Sequence, residues 1–296
     1  MSESQGEHHP LITVIVLCHN YGRFLAEAID SALAQTYPNC EVIVMDDGST
    51  DDSLEVASSY GDAVRILTQP NQGLERAANR AVAEARGELF AFLSADDFFE
   101  PTYIDRLYEG LRRSPDSSYS YCRARMFGSR SGLIKGFPFS PYLLIKLGNF
   151  VNGSALTVRQ DYLDLGGYDP ALTNYALEDW DLWLRMVEHG RRGTFVSEPL
   201  LNWRRHESAS RNPEDDENLE RSSAVIRERH KVLYDSVSDL RGRVYYLVDL
   251  CVAVIDLGLR LSRWPSVLNR LERRSWRRFQ RRHAAAMRAA ATSGRP

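Results

Sequence analysis

Apolar runs alternate with segments of helical periodicity through the first 115 residues. Each run is six or seven residues long, as expected of a buried strand, and the segments between them repeat apolar residues at helical spacing. The predicted strands are residues 11–17, 40–45, 63–68 and 88–94, and the predicted helices are 23–35, 53–60, 74–85 and one after Pro101. This alternation predicts βαβ units, and therefore an α/β fold with a mostly parallel, Rossmann-like sheet flanked by helices.

The pattern changes after residue 115. It predicts strands at 119–127 and 150–158, a Trp-rich amphipathic helix at 178–188 and an extended segment at 195–204, with a Gly/Pro/Phe-rich segment at 128–141. Residues 207–240 are mostly charged and are predicted to be helical. The second half is therefore expected to add strands and helices to the first, followed by a helical extension.

Composition is ordinary for a globular protein, but charge is unevenly distributed. The chain is 43% apolar and 26% charged, with a formal charge of −3. Residues 263–296 contain ten arginines and one glutamate, a charge of +9, so the preceding residues carry −12. The basic tail is expected to meet an anionic surface.

Several protein classes are disfavoured by simple features. The four cysteines show no CxxC spacing, which argues against a zinc site or a disulfide framework and fits a reducing compartment. The polar N-terminus does not resemble a signal peptide. The longest apolar stretch, residues 244–261, is interrupted by Asp249, Asp256 and Arg260 and is not expected to span a bilayer. The predicted location is cytoplasmic, with peripheral binding at the inner face of the plasma membrane as an option.

Two of the predicted strands end in adjacent carboxylates. Asp46 and Asp47 precede Gly48 after the second strand, and Asp96 and Asp97 follow the fourth. Ligands of open α/β sheets bind beyond the carboxyl ends of the strands, where these acids are expected to lie. The pattern therefore predicts a site for a sugar nucleotide and a divalent cation.

Seven short motifs in this order resemble the family 2 glycosyltransferases, which have a GT-A type fold. The motifs are Val14–Tyr21, Asp46–Asp51, Asn71–Gly73 with Asn79, Gly87–Glu88, Ser94–Asp97, Gly166–Asp169 and Glu178–Arg185. The resemblance covers about residues 10–206. It implies a catalytic domain over 10–206, with a nucleotide-binding part at about 10–115 and an acceptor part at about 116–206. A disordered N-terminus (1–9) and a helical extension with a basic tail (207–296) complete the predicted organisation.

The resemblance implies roles for residues around the donor. Asp47 is expected to recognise the nucleotide base, together with the backbone of Leu17. Asp97 is expected to hold Mn²⁺ or Mg²⁺, and Asp96 to contact ribose or water on that ion. An all-oxygen site shared with phosphates suits either cation. A helix-capping turn is the alternative for the Asp96–Asp97 pair, and a turn-forming residue is the alternative for Asp47.

Three positions depart from the family pattern or leave alternatives open. His19 stands where the family often has Tyr, so it is expected either to contact the nucleotide or to be purely structural. Arg76 precedes a segment that lacks the family's usual Arg, and it either reaches the diphosphate or lies on a solvated helix face. His206 follows the last strand, where some relatives place a diphosphate or metal contact, and an ordinary surface histidine is the alternative.

The acceptor side is predicted at the start of the helix at 178–188. The resemblance makes Asp179 the general base that takes the proton of the acceptor hydroxyl, and a helix N-terminus favours the carboxylate that this role needs. Glu178 is expected to hold the acceptor or to orient the loop. Trp180 supports the acceptor or the loop, or packs the helix into the core.

The predicted function is that of an inverting, metal-dependent glycosyltransferase in polysaccharide or glycolipid assembly. It moves a sugar from a nucleotide-diphosphate sugar, with a UDP-sugar favoured, to a saccharide or lipid-linked acceptor. A sugar nucleotidyltransferase is an alternative, although Cys18–Tyr21 lacks the glycine-rich basic loop of that class. A second alternative is a non-catalytic protein that binds sugar nucleotides or docks to a membrane. The donor sugar, the acceptor and the oligomeric state stay open.

The basic tail is predicted to form an amphipathic helix. Its apolar residues, interleaved with arginines, are Trp264, Leu268, Leu271, Trp276 and Phe279. Such a helix can lie on an anionic membrane with its apolar side down. The alternatives are a solvated helix or packing against this domain or a second subunit. Nucleic acid is not expected as a partner, because no recognition fold accompanies the arginines.

Overall fold

The computed structural model describes residues 9–134, 136–172, 177–206, 216–238, 244–251 and 265–292. Nine strands form one mixed sheet in this part of the chain. They are β1 (Ile12–Cys18), β2 (Cys40–Asp46), β3 (Arg65–Thr68), β4 (Leu89–Ser94), β5 (Phe98–Phe99), β6 (Tyr119–Gly128), β7 (Gly132–Ile134), β8 (Leu156–Val158) and β9 (Gly193–Arg205). Their order is β3-β2-β1-β4-β8-β6-β9-β5, and β7 pairs with β6.

Helices cover both faces of this sheet. They are α1 (Gly22–Leu33), α2 (Ser53–Ser58), α3 (Leu74–Glu84), α4 (Tyr103–Arg113), α5 (Pro141–Lys146), α6 (Arg159–Asp164), α7 (Glu178–Glu188), α8 (Asp216–Arg229), α9 (Lys231–Ser236), α10 (244–251) and α11 (Pro265–Thr292). Along β1, Val14 and Val16 pack into the core under α1 and α4, and Ile15 packs into the core under α3 and α7. Burial on both faces explains why the strand is a continuous apolar run.

The first half of the sheet has the predicted parallel topology. β1 lies between β2 and β4 and is parallel to both, with Cys18 opposite Asp46 and Leu17 opposite Ser94. β8 is antiparallel to β4 and to β6, and β9 runs parallel to β6. The α/β fold class is therefore confirmed, with antiparallel strands confined to the second half.

One predicted strand is much shorter than expected. Of residues 150–158, only Leu156–Val158 form a strand. The preceding residues form turns in which the Asn149 side chain accepts from Val151 N, and Asn152 donates to the Cys122 carbonyl. Asparagine side chains that bond to the backbone compete with strand pairing, which explains the difference. β5, β7, α5 and α6 were not predicted.

The tail helix α11 packs against the domain itself. Leu268, Trp276 and Phe279 are buried, and the Phe279 ring lies 5.4 Å from that of Tyr142 in α5. The predicted apolar side of the helix therefore faces the protein core, which was one of the alternatives, and it is not available to a membrane. Leu271 is half-buried.

A buried acid fixes this docking. Glu272 accepts hydrogen bonds from Phe139 N (2.8 Å) and Phe195 N (3.2 Å) and pairs with Arg192 at 3.3 Å.

Trp264 and residues 1–8 of the predicted disordered N-terminus (1–9) lie outside the described residues. None of the helices that the structure describes has both the length and the apolar content to cross a bilayer.

Candidate active site

The register of the parallel strands brings the two acidic motifs to one edge. Because Cys18 pairs with Asp46 and Leu17 with Ser94, the segments that follow β2 and β4 leave the sheet on either side of the end of β1. Asp47, Asp96 and Asp97 are all buried, with at most 8% of each residue exposed. These carboxylates are therefore held in place by protein contacts.

Asp47 organises the loop between β3 and α3. Its Oδ1 accepts hydrogen bonds from Gln69 Nε2 (2.7 Å) and Gln72 N (3.0 Å), and its Oδ2 accepts one from Gly73 N (2.8 Å). A carboxylate oxygen can accept two hydrogen bonds. Oδ2 therefore keeps one acceptor position after the loop has been fixed.

His19 is locked in one tautomer by its neighbours. Its Nδ1 lies 2.9 Å from the Asp47 carbonyl, which can only accept, so Nδ1 carries the proton. Its Nε2 accepts from the amide groups of Asn71 (3.0 Å) and Asn20 (3.2 Å). Both amide orientations are set independently, because the oxygens of Asn20 and Asn71 accept from the backbone N–H groups of Thr50 and Gly73, respectively. His19 therefore has a structural role at this edge.

The turn after β2 requires its glycine. Gly48 has φ +74°, and a Cβ atom there would lie 2.6 Å from Asn71 N. Both features exclude a side chain, because positive φ is costly for other residues and the contact is shorter than van der Waals distance. Gly48 thus lets the loops after β2 and β3 touch.

Asp96 meets the end of β9. Its Oδ2 lies 3.1 Å from His206 Nε2, and its Oδ1 accepts from the Ser94 hydroxyl. Arg23 approaches the other ring nitrogen of His206 at 3.5 Å, and the Phe24 ring lies 4.9 Å from the imidazole. His206 is therefore a component of this edge, and its contact with a diphosphate or a metal stays a prediction.

Arg204 supports the same acidic pair. Its backbone N donates to Asp97 Oδ1 (2.8 Å), and its Nε donates to the Asp96 carbonyl (2.9 Å). Its guanidinium lies over the Phe24 and Phe127 rings, at 4.6 and 4.4 Å. Burial and the neighbouring Asp96 raise the pKa of Asp97, and the Arg204 N–H and charge oppose this only in part.

The other predicted donor residues lie at the periphery of this edge. The Leu17 carbonyl accepts a hydrogen bond from Ala95 N (3.0 Å), which ties β1 to the Asp96–Asp97 turn. Arg76 lies on the exposed face of α3 and donates to the Gln72 carbonyl at 3.4 Å. Neither contact involves a side chain of the acidic pair.

Asp179 lies in the first turn of α7, where its Oδ1 accepts from Trp180 N (2.7 Å). It is half-buried, as is Glu178. Trp180 is 7% exposed, and its indole donates to the Leu144 carbonyl at 3.2 Å, so this residue mainly packs the helix. Trp183 likewise donates to the Val151 carbonyl at 3.1 Å. The first part of α7 is therefore fixed both to α5 and to the loop that follows α5.

Asn79 joins two of the sequence motifs, and Arg185 connects a third to them. Its Oδ1 accepts from Tyr168 N (2.8 Å) and the Tyr162 hydroxyl (2.6 Å), and its Nδ2 donates to the Tyr168 carbonyl (2.8 Å). Arg185 of α7 donates to the carbonyls of Leu165 (2.8 Å) and Gly167 (2.7 Å). The turn at 165–168 thus connects the donor-side helix α3 with the helix that carries Asp179.

A buried ionic cluster, which the sequence did not reveal, clamps the extension to α7. Asp181 accepts from Arg185 (2.7 Å), Arg229 (3.0 Å) and His230 (3.0 Å), and His230 also lies 2.7 Å from Glu188. Burial raises the pKa of Asp181, but the His230 hydrogen bond and the arginine charges outweigh it and hold this pKa below its usual range. Asp181 lies in the Glu178–Arg185 motif, but no local pattern indicated its distant partners.

A groove opens beside Asp179. It has a volume of about 630 Å³ and is lined by Trp180, Lys146, Arg227 and Tyr234, among others. The last two belong to α8 and α9, so the C-terminal extension forms one wall. The aromatic and basic side chains next to Asp179 make this groove the candidate acceptor site.

Carboxylate and imidazole groups at the acidic edge are potential ligands of a divalent cation. Among the described residues, no cluster of three or more His, Cys, Asp or Glu side chains could hold a metal by itself. Asp96, Asp97 and His206 nevertheless bring carboxylate and imidazole donors together. Magnesium in nucleotide sites usually takes one or two protein carboxylates and completes its coordination with phosphate and water. The donor set therefore fits a cation shared with a diphosphate.

Comparison with known sequences identifies the family. Residues 13–154 match glycosyl transferase family 2. An uncharacterised glycosyltransferase of Rickettsia typhi is 31% identical over 219 residues, which cover 70% of this chain and 68% of that protein. The chain belongs to glycosyltransferase family 2. It spans 31% to 68% of the length of four glycosyltransferases of Rickettsia species that it matches.

Solved structures support the fold. TarS residues 1–349 from S. aureus, in complex with UDP, superpose with a TM-score of 0.59 at 18% identity, covering 91% of both chains. Mannosyltransferase PcManGT from Pyrobaculum calidifontis, in complex with GDP-Man and Mn²⁺, gives 0.53 at 18% identity and covers 98% of this chain and 77% of the other. The predicted GT-A type fold is confirmed.

Proposed function

We propose that this protein is an inverting, metal-dependent glycosyltransferase that moves a sugar from a nucleotide-diphosphate sugar to a hydroxyl of a saccharide or lipid-linked acceptor. The observation that carries the proposal is the 3.1 Å contact between Asp96 and His206, 110 residues apart, at the edge that also holds Asp47. Family membership supports sugar transfer. UDP and GDP-Man in the two similar structures support a nucleotide sugar as donor, and we favour a UDP-sugar.

In the donor half, Asp47 uses its remaining Oδ2 acceptor position for an N–H of the base, with the backbone of Leu17 beside it. Asp96 would contact the ribose or water on the cation, and Asp97 with His206 would hold Mn²⁺ or Mg²⁺. A cation shared with the diphosphate stabilises the charge that develops on the leaving group. Arg204 keeps the acidic pair in place through its bonds to Asp96 and Asp97. Arg76 contacts the diphosphate from the exposed start of α3.

In the acceptor half, Asp179 takes the proton from the acceptor hydroxyl as that oxygen attacks the sugar carbon from the face opposite the diphosphate. The hydrogen bond from Trp180 N and the N-terminus of α7 favour the carboxylate. The adjoining groove holds the acceptor, with Glu178 orienting the loop. Unpaired cysteines at all four positions fit a cytoplasmic site of action.

Two substitutions separate the halves of the site. Asp97→Asn should lower the Mn²⁺-dependent affinity for UDP at least tenfold, measured by calorimetry, because the cation loses a charged ligand. Asp179→Asn should leave that affinity within twofold and lower nucleotide release with a panel of saccharide acceptors by about 10²–10⁴-fold, the range for loss of a general base. Asp105→Asn, an exposed carboxylate of α4, is the matched control and should change neither quantity.

Each part of the proposal has its own contrary result. A wild-type transfer rate in Asp179→Asn would show that another group is the base. If no nucleoside diphosphate binds with Mn²⁺ or Mg²⁺ present, the assignment of the donor site is wrong. That result would favour the alternative that the chain is a non-catalytic member of its family. Pyrophosphate formation from a sugar 1-phosphate and a nucleoside triphosphate would instead favour the nucleotidyltransferase alternative.

A further inference from the structure

Four arginines form a straight stripe on the outer face of α11. Arg270, Arg274, Arg277 and Arg281 are all exposed and are spaced by four, three and four residues. Residues at these spacings share one helix face, and eleven residues of helix extend about 16 Å. The helix is interrupted only beyond the stripe, at His283 (φ −110°, ψ 15°).

The stripe has no counter-charge within the described structure. None of the four arginines makes an ion pair or hydrogen bond with another described residue, whereas the flanking Arg273 and Arg278 pair with Asp116 and Asp249. Like charges at these helical spacings destabilise a helix. The fold neutralises the sides of α11 and leaves its outer face positively charged.

An apolar helix face lies alongside the stripe. In α10, Val244, Leu247 and Val248 are 48%, 54% and 43% exposed and share one face at helical spacing. The opposite face of α10 is held to α11, because Asp249 accepts from Ser275 and Arg278. The guanidinium groups of Arg278 and Arg282 lie 5.2 and 5.9 Å from the centre of the Tyr245 ring, so α10 runs along α11 with its apolar side chains exposed.

We propose that α10 and the arginine stripe of α11 form a docking surface for a bilayer with anionic headgroups. Exposed aliphatic side chains next to a row of arginines match the interface of such a bilayer, where apolar groups enter the acyl boundary and cations meet headgroup phosphates. A nucleic acid would use the arginines and leave the aliphatic face in water. The arginines of α11 and the exposed apolar side chains of α10 therefore face the membrane. The aromatic side chains of α11 stay in the protein core. This docking goes beyond the proposed transfer and is measurable without nucleotide.

The test is co-sedimentation of the full chain with vesicles of phosphatidylcholine alone or with 30% phosphatidylglycerol. Wild type should bind only the anionic vesicles, and 0.5 M NaCl should release it, because screening weakens the contact. A basic residue near an anionic surface contributes about 1 kcal/mol, so the variant with Arg270, Arg274, Arg277 and Arg281 all replaced by Gln should bind about a thousand-fold more weakly. Leu247→Ser with Val248→Ser should also weaken binding and should leave the salt dependence intact.

A control with the same charge loss replaces four exposed arginines elsewhere, Arg86, Arg106, Arg112 and Arg125, by Gln. Equal loss of binding in this control would overturn the proposal, because net charge alone would then explain the attraction. The proposal would also be overturned if the wild-type protein did not bind anionic vesicles. It would equally be overturned if the protein bound a single-stranded polynucleotide, or associated with itself, instead of binding the vesicles. An unchanged thermal-unfolding midpoint in the stripe variant shows that the fold is retained.

Discussion

Removing His230 should weaken the attachment of the C-terminal extension to the helix that carries Asp179. His230 is fully buried, with Nε2 3.0 Å from Asp181 and Nδ1 2.7 Å from Glu188. Both partners are carboxylates, so both ring nitrogens donate and the imidazole is charged. Burial lowers the pKa of His230, but the hydrogen bonds and charges of Asp181 and Glu188 outweigh it and the net shift is upward.

The magnitude follows from these two bonds. A hydrogen bond to a charged group contributes about 1.5–3 kcal/mol, and removing one partner of a buried ion pair costs about 3–5 kcal/mol. His230→Ala should therefore lower the free energy of unfolding by about 3–5 kcal/mol near pH 6. His189→Ala is the control: His189 is exposed at the end of α7, and among the described residues its side chain bonds the Arg185 carbonyl alone, so its loss should cost less than about 1 kcal/mol.

The effect should depend on pH in a defined direction. Because folding raises the pKa of His230 above its ordinary 6.5, the stabilisation is complete below that pH and is lost as pH rises through the folded-state pKa. The difference between wild type and His230→Ala should therefore shrink towards pH 9, by at most about 1.4 kcal/mol per pH unit.

The assay is urea unfolding between pH 6 and pH 9, followed by tryptophan fluorescence. Trp180 and Trp183 flank Asp181 in α7 and report on this region. Arg185 and Arg229 also pair with Asp181, and Arg229 pairs with Asp169, so these charged groups surround the cluster in wild type and variant alike. A destabilisation below 1 kcal/mol at pH 6, or one that does not diminish with pH, would refute the charged-histidine interpretation.

Two further substitutions test the loops that build the site. Gly48→Ala should lower stability by about 1–3 kcal/mol and weaken UDP binding, because its Cβ would strike Asn71 N, and a calorimetric Kd equal to that of wild type would contradict this. Gly61→Ala is its control, since Gly61 also has positive φ but faces open space. Asn79→Ala removes two hydrogen bonds to Tyr168 and one to Tyr162, and it should lower the transfer rate more than nucleotide affinity. Steady-state kinetics showing only a raised KM for the donor would count against that role.

Much of the donor side could be predicted from sequence because its signals are local. A continuous apolar run followed by Asp-Asp indicates a buried strand with carboxylates beyond its end, as at Asp47 and Asp97, and the roles of these carboxylates toward a donor stay predictions. Parallel pairing then places the ends of β2 and β4 on either side of β1. The predicted strand at 150–158 failed for an equally local reason, since asparagines at 149 and 152 favour turns over pairing.

The sequence by itself determined the α/β class, the acidic strand ends, the Glu-Asp helix and the amphipathic character of the tail. The tertiary structure decided which other residues contact these features. It brought His206 to Asp96 and joined His230 to Asp181, contacts that span 110 and 49 residues and leave no periodic signal. It also decided the orientation of α11, because amphipathicity records that one helix face is apolar but not whether a membrane or the protein's own core covers it. Here Trp276 and Phe279 pack inside, and the arginines face outward.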